Sequence, residues 1–320
     1  AVLVEAGSSR LYRRGYVHKK GRQYMDEATK RKTYFLLAAT TIIWGIQPLC
    51  IKWLVAVWTP VTITAMRYYF IGTTLLALSV YRGEKLLPPR DCLLGLILMG
   101  ATGIGLNNVM QFTGLGISTV TNCTLIAAAS PAITAFLAAI FVRERLSLLA
   151  WGGIVLSFAG ALIVISHGSL EVMRTLSFNE GDILFLLAQV AWTTYSLIAL
   201  KIMRRMSALQ TTGWAGIFGA FIVTGYGLIT GQFAPVMLDA SLWASFFYTV
   251  IFGGIMAMLF WNIGVHNAGA SVTSIFQNIT PVVGMIGGVL CFGEVIGFKE
   301  IAGAASIFAG VYLTTHGGLK

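Results

Sequence analysis

Carboxamide side chains inside long apolar segments are the residues best suited to bind a polar ligand. Asn107 and Gln111 are four residues apart, so a helix would place both on one face. The other members of this group are Asn122 in the first half of the chain, and Asn262, Gln277 and Asn278 in the second half. An unpaired amide costs several kcal/mol in an apolar medium, so these groups must face protein, water or a ligand. They predict either a polar binding site or hydrogen bonds that join helices.

Two basic residues lie within apolar segments, whereas no acidic residue lies deep in one. Arg67 is a candidate anion contact that could neutralise a carboxylate or phosphate, or it could anchor its helix at an interface. Lys52 lies close enough to a segment end to reach the headgroup region. The acidic residues Asp182, Glu144 and Glu294 flank apolar segments. Because intramembrane carboxylates are the usual proton and cation sites, the sequence disfavours such a site at mid-depth.

The aromatic residues Trp44, Trp192 and Tyr195 lie inside apolar segments rather than at their ends. Their rings could flank a cavity that holds an organic ligand, or they could simply pack in the core. The four cysteines and four histidines lack the clustered spacing of metal ligands, so no metal or cofactor is expected. No arrangement of nucleophile and base indicates an enzyme.

Two prolines interrupt apolar segments. Pro131 and Pro281 each lack the amide that would bond to the carbonyl four residues earlier, at Ala127 and Gln277. A freed carbonyl inside a membrane needs another partner, so each proline predicts a kinked helix beside a polar space. We interpret the two prolines as candidate hinges, with a simple packing kink as the alternative.

The composition indicates the elements that position these residues. The chain has 320 residues, of which 57% are hydrophobic and only 11% charged, whereas soluble domains carry roughly 25% charged residues. A membrane-spanning helix needs about 20 apolar residues, and backbone groups in hydrocarbon must be paired internally. Ten apolar runs therefore predict an all-α integral membrane protein with ten transmembrane helices, at 33–55, 61–81, 92–113, 119–142, 149–166, 183–203, 211–230, 242–265, 271–292 and 301–316.

An internal repeat relates the two halves. Residues 130–160 align without gaps with residues 280–310, so that Pro131 corresponds to Pro281 and both copies end in Phe-Ala-Gly. Two copies of five helices explain this match. Since five is odd, the second copy enters the membrane from the opposite side, which predicts inverted repeats.

The basic residues predict the orientation. Nine of the 22 Lys and Arg residues lie in the first 32 positions, and most others lie in loops on the same predicted side. By the positive-inside rule both termini are cytoplasmic. The net charge of +10 is thus a sign of topology rather than of nucleic-acid binding. If Met25 is the natural start, part of the tail is an added extension. The predicted organisation is a basic cytoplasmic tail at 1–32, a first repeat at 33–167, an external connection at 168–180 and a second repeat at 181–320.

Several short motifs together resemble a known family. They are Trp44-Gly45 with Lys52, Arg67, the stretch from Pro131 to Glu144 with Arg145, the Gly153 and Gly160 helix, Gly181-Asp182 with Trp192, and the stretch from Pro281 to Glu294. The sequence resembles the drug/metabolite transporter superfamily, in particular the EamA-type ten-helix carriers, over about residues 33–317. Its second copy departs from the pattern because no arginine adjoins Glu294.

The resemblance implies alternating-access transport across the cell (inner) membrane, by export or facilitated movement. The amide-rich, acid-poor interior favours neutral, zwitterionic or anionic cargo, so the expected substrate is a small polar metabolite such as an amino acid. The alternatives are a multidrug exporter, a flippase for a lipid-linked intermediate, and a membrane scaffold that transports nothing. Expected partners are the small-molecule substrate and membrane lipids, without nucleic acid, and a homo-oligomer is left open.

Overall fold

The computed structural model describes residues 16–19, 22–25, 27–141, 147–175, 178–268 and 276–316. A two-stranded antiparallel hairpin, β1 (Tyr16–Lys19) and β2 (Arg22–Met25), lies in the basic tail. The first half then contains α1 (Glu27–Leu54), α2 (Pro60–Tyr81), α3 (Leu93–Met99), a π-helical segment π1 (Gly100–Leu106), α4 (Asn107–Ile117), α5 (Val120–Ala128), α6 (Ser130–Phe141) and α7 (Leu148–Ile165). The second half contains α8 (Leu170–Thr175), α9 (Glu180–Ile202), α10 (Ala208–Thr230), α11 (Ala240–Phe247), a second π-helical segment π2 (Tyr248–Met256), α12 (Ala257–Ala268), α13 (Ile279–Phe292) and α14 (Phe298–His316).

Each of the ten apolar runs overlaps at least one of these helices, and the observed ends differ from the predicted ones by a few residues in most cases. Among the described residues, seven helical segments are long and apolar enough to cross a membrane, and the bent pair α5 and α6 would make eight. The chain is therefore a helical, multi-pass membrane protein.

Local sequence explains where many of the helices begin. Thr59, Thr119 and Ser147 precede α2, α5 and α7, and each hydroxyl accepts a hydrogen bond from an amide of the first turn. Asn179 and Asp239 cap α9 and α11 with their side-chain oxygens in the same way. These caps satisfy amides that helix geometry leaves without partners.

The two halves pack against each other through helices at corresponding positions. Helix α1 packs mainly on π2, α12 and α13 of the second half, whereas α9 packs on α3, π1, α4, α5 and α6 of the first half. The first long helix of each half is thus placed against the other half. Two further contacts join helices that occupy equivalent positions, α2 with α10 and α7 with α14.

Helices α7 and α14 approach each other closely through glycines. A Cβ atom on Gly153 would lie 2.5 Å from the amide nitrogen of Thr314, and one on Gly310 would lie 2.4 Å from that of Ser157. Gly160 and Gly303 are similarly enclosed. Small residues allow such close helix contact, which supplies van der Waals packing where lipid gives no hydrophobic driving force.

Four interruptions of regular α-helix lie near residues that correspond between the halves. A 41° bend separates α5 from α6 just before Pro131, and a turn at Gln277 and Asn278 precedes Pro281. The π-helical segments π1 and π2 interrupt the third helix of each half. Proline accounts for the first pair, because it removes an amide and crowds the preceding turn.

The glycine contact gives a matched test. We expect Gly153→Leu to lower the free energy of unfolding by about 1 to 3 kcal/mol, because the added side chain forces α7 away from α14. At the neighbouring Gly152, no atom of the described residues lies within 4 Å of the position of an added Cβ. Thermal unfolding in detergent should therefore give Gly152→Leu a melting temperature at or above that of the parent. Equal melting temperatures for the two variants would contradict this packing.

Candidate functional site

A cluster of charged and polar groups joins the two halves at one end of the bundle, where α1 ends and α2 begins. We call this the Lys52 end. The Lys52 ammonium lies 3.2 Å from Glu294 Oε1 and donates to the carbonyl of Ser118, at 2.7 Å. The Glu294 carboxylate also accepts hydrogen bonds from the backbone amides of Val120 at 2.7 Å and Thr121 at 2.9 Å. We call this set of contacts the inter-domain lock.

The position of Glu294 is electrostatically favourable. Its carboxylate lies at the amino end of α5, where unpaired amides and the helix dipole favour negative charge. Burial raises the pKa of Glu294, but the amides of Thr121 and Val120, together with Lys52, outweigh burial and hold the pKa below the usual glutamate value. The folded protein therefore favours the ionised form of this carboxylate.

A second carboxylate also contacts the connection between α4 and α5. Asp182 lies fully buried in the first turn of α9, where it accepts hydrogen bonds from the hydroxyl of Ser118 and from the amide of Asn122, at 2.9 Å. Asp182 and Glu294 both belong to the second half, so the α4–α5 connection of the first half lies between two acidic groups. Both lie at helix ends, as expected from the sequence. Asn122 is a predicted substrate contact, but its side-chain amide donates this hydrogen bond to Asp182.

Asn107, another carboxamide predicted in the first half, also contacts protein. It donates to the carbonyl of Ala188 in α9, at 2.8 Å. The side chain of Gln111 lies near the Cys123 thiol. The contact of Asn107 matches the alternative in which amides join helices.

The predicted aromatic residues lie in two separate places. The Trp44 indole donates to the carbonyl of Gly253 in π2, at 3.1 Å, and its ring lies 5.2 Å from that of Trp261. Trp192 stacks on Tyr195 with ring centroids 5.0 Å apart. The buried Tyr195 ring lies where a Cβ atom on Gly103 of π1 would be, at 2.3 Å. One aromatic pair thus contacts each π-helical segment.

The predicted carboxamides of the second half have fewer protein contacts. Gln277 is partly exposed and Asn278 is exposed, and both lie in the turn before α13. No side-chain partner for either is found in the described part of the chain. The side chain of Asn262 lies outside the described residues, as do Glu144 and Arg145.

The sequence analysis did not predict the inter-domain lock, although the sequence contained an indication of it. The predicted topology places Lys52 and the loop containing Glu294 at the same membrane face, so their opposite charges could have been paired. The glycines in π1 and π2 give no specific sign of π-helix. Within the described ranges, no group of three or more His, Cys, Asp and Glu residues could hold a metal ion.

In the comparison with known proteins, one family model matches both halves of the chain. The EamA-like transporter family matches residues 31–166 and again 179–316. The chain is 29% identical over 291 residues to the uncharacterized transporter YyaM of Bacillus subtilis (strain 168), which covers 90% of this chain and 94% of the relative. It is 27% identical over 290 residues to the uncharacterized inner membrane transporter YedA of Escherichia coli (strain K12), covering 88% and 90%.

Two further similarities are more distant or shorter. The S-adenosylmethionine/S-adenosylhomocysteine transporter of Chlamydia trachomatis is 26% identical over 214 residues, which is 65% of each chain. A solved crystal structure superposes with a TM-score of 0.61 at 17% identity, and the match covers 89% of this chain and 97% of that one. At this identity the superposition concerns the fold alone.

The lock predicts a pH dependence. Because folding depresses the pKa of Glu294, its contribution to stability is complete above the unfolded value of about 4.3 and is lost as the pH falls through the lower folded value. The melting temperature of the parent in detergent should therefore fall more steeply below about pH 4.5 than that of Glu294→Gln.

The control is Glu180→Gln, which removes an exposed carboxylate from the same end of the bundle. It should keep the pH profile of the parent. A Glu294→Gln variant with the parent's profile would show that the carboxylate does not stabilise this interface.

Proposed function

Since the chain belongs to the EamA-like transporter family, and is thus a membrane transporter rather than an enzyme, we propose that it carries small polar organic metabolites by alternating access. Amino acids and related zwitterions are the proposed cargo, and the direction is export or facilitated movement. The two EamA domains and the paired packing of equivalent helices are consistent with a repeated architecture.

The single observation that carries this proposal is the matched set of helix interruptions. A break before Pro131 and a turn before Pro281 lie at related positions, and so do π1 and π2. Interrupted helices inside a membrane need polar partners or a cavity at the interruption. Transporters built from inverted repeats place their binding sites at such broken helices, near the interface of the repeats. In this proposal Pro131 and Pro281 act as hinges.

The proposed topology has ten transmembrane helices arranged as two inverted repeats, at 33–167 and 181–320, joined by an external connection at 168–180. Both termini are cytoplasmic, and the Lys52 end faces outward. The excess of basic residues on the proposed inner side supports this orientation. The similarity to an inner membrane transporter supports the cell membrane as the location. The inter-domain lock would then close the outer side.

The chemistry of the interior supports zwitterionic cargo. Asp182 and Glu294 lie at helix ends and accept hydrogen bonds from protein donors, so they offer little to an organic cation. Gln277 and Asn278 offer amides at a helix interruption, and Trp44 with Trp261 offers aromatic surface beside π2. The compounds named for the Chlamydia trachomatis relative both contain an amino-acid group, which agrees with this cargo.

Substrate counterflow in proteoliposomes tests the proposal. We expect exchange of at least one amino acid or amino-acid conjugate, and Gln277→Ala should weaken its apparent affinity about 2-fold to 10-fold, because one hydrogen bond to the ligand is lost. The melting temperature should change little, since that amide forms no hydrogen bond with a described residue.

The matched control is Gln232→Ala, which removes an exposed amide from the loop after α10. It should leave counterflow unchanged. Exchange of hydrophobic cations alone would indicate a multidrug exporter, and movement of a lipid-linked intermediate alone would indicate a flippase. Either result would contradict the proposed cargo.

A further inference from the structure

A fully buried arginine lies between the two halves, and the inter-domain lock does not include it. Arg67, in α2, is only 2% exposed. Within the described part of the chain, its guanidinium forms no salt bridge with any carboxylate. Removing an ionised group from water costs several kcal/mol unless a partner compensates. Intramembrane charges therefore mark functional sites more often than packing positions.

The hydrogen bonds of Arg67 leave most of its donors unused. One terminal nitrogen donates to Asn108 Oδ1 at 3.4 Å, and the other donates to the carbonyl of Thr249 at 3.2 Å. Both acceptors are neutral and both distances are long. The Nε atom is buried without any hydrogen-bond partner among the described residues. A guanidinium has five N–H donors arranged to bind the two oxygens of a carboxylate, so this one retains that capacity.

Two aromatic rings lie close to the guanidinium. Its central carbon lies 5.3 Å from the centroid of the Phe112 ring and 5.8 Å from that of Tyr68. Cation–π contacts of this kind stabilise the charge without using the in-plane N–H groups. The donors therefore stay available to an anion.

Arg67 also lies between the two π-helical segments, π1 and π2. Its acceptor Thr249 belongs to π2, and its other acceptor Asn108 donates to the carbonyls of Gly103 and Ile104 in π1. A second polar atom without a partner in the described part of the chain lies one turn along π2, where Gln47 Oε1 is buried beside Gly253. π-Helical segments occur frequently at functional sites.

The repeated architecture does not require this charge. Helix α10 is the counterpart of α2 and packs against it, yet it contains no charged residue. A cation needed only for the packing of the repeated unit would be expected in both copies. The asymmetry favours a role in binding.

We propose that Arg67 binds the carboxylate of the transported substrate, and that Gln47 Oε1 accepts a hydrogen bond from its ammonium group. This inference rests on the proposed function, and it restricts the cargo to compounds that carry a carboxylate. Because Arg67 is buried, the substrate reaches it when the two halves separate between α2 and π2.

The test compares acids with counterparts that lack the carboxylate, on the purified protein. The probes are the common amino acids, each paired with its carboxamide, and S-adenosylhomocysteine, paired with 5′-methylthioadenosine. Thermal shift in detergent measures binding, because a ligand that binds the folded state raises its melting temperature. We expect stabilisation by at least one acid and not by its partner. Arg67→Gln should weaken binding of that acid about 10-fold to 100-fold.

Two variants separate binding from folding. Without ligand, Arg67→Gln should melt at or above the parent temperature, because it removes a buried charge that no carboxylate neutralises. Arg67→Lys should retain part of the preference for acids, since it keeps the charge but not the planar fork. Arg90→Gln, which changes an exposed arginine, should behave like the parent.

The contrary outcomes are distinct. Equal stabilisation by acids and carboxamides would overturn the carboxylate site and leave transport intact. A lower melting temperature of Arg67→Gln with an unchanged preference for acids would make Arg67 a structural residue, and would also overturn the proposal. Binding that selects acids, without counterflow of the same compounds, would support the site and contradict the proposed function.

Discussion

One carboxylate connects three parts of the molecule that the chain places far apart. Glu294 pairs with Lys52 at the end of α1 and satisfies two amides at the start of α5, while its own loop joins α13 to α14. The side chains of Lys52 and Glu294 are largely buried, so breaking these contacts would leave charged and polar groups without partners. Together with the neighbouring contact of Asp182 with Ser118, this interaction holds the α4–α5 connection at the Lys52 end.

The exchange of helices between the halves explains how a local contact can have a larger effect. Because α1 packs on the second half and α9 on the first, neither half can move without changing contacts along a helix of the other. The glycine contacts between α7 and α14 are close and regular, which suits a stable part of the bundle. The interrupted helices have unpaired or irregular backbone bonds, and changes of angle cost least there. The architecture therefore combines a rigid glycine-packed pair with interruptions near the interface of the halves.

The general fold could be predicted from the sequence because the bilayer restricts the possibilities. Long apolar runs with few charges must be helices in a membrane, and the match of Pro131 with Pro281 indicated the repeat and the two breaks. The π-helical segments could not be predicted, since they depend on packing rather than on a distinctive sequence pattern.

The candidate site was only partly predictable for a related reason. A carboxamide in an apolar run can bond to protein or to a ligand, and the sequence does not distinguish the two. The structure places Asn107 and Asn122 in protein contacts but leaves Gln277 without one among the described residues. Arg67 was recognised as a candidate anion contact, whereas its position between π1 and π2 required the tertiary structure.

The most direct test of the central claim, that the inter-domain lock holds the Lys52 end closed, is a distance measurement across it. Spin labels at the exposed positions Ile117 and Val295 would lie on opposite sides of the contact, in a variant whose native cysteines are replaced. In liposomes at pH 7, pulsed electron paramagnetic resonance should give mainly one short distance between the two labels for the parent. The Glu294→Gln variant should show an additional population with a longer distance between the labels. Identical distance distributions for the two proteins would contradict the account.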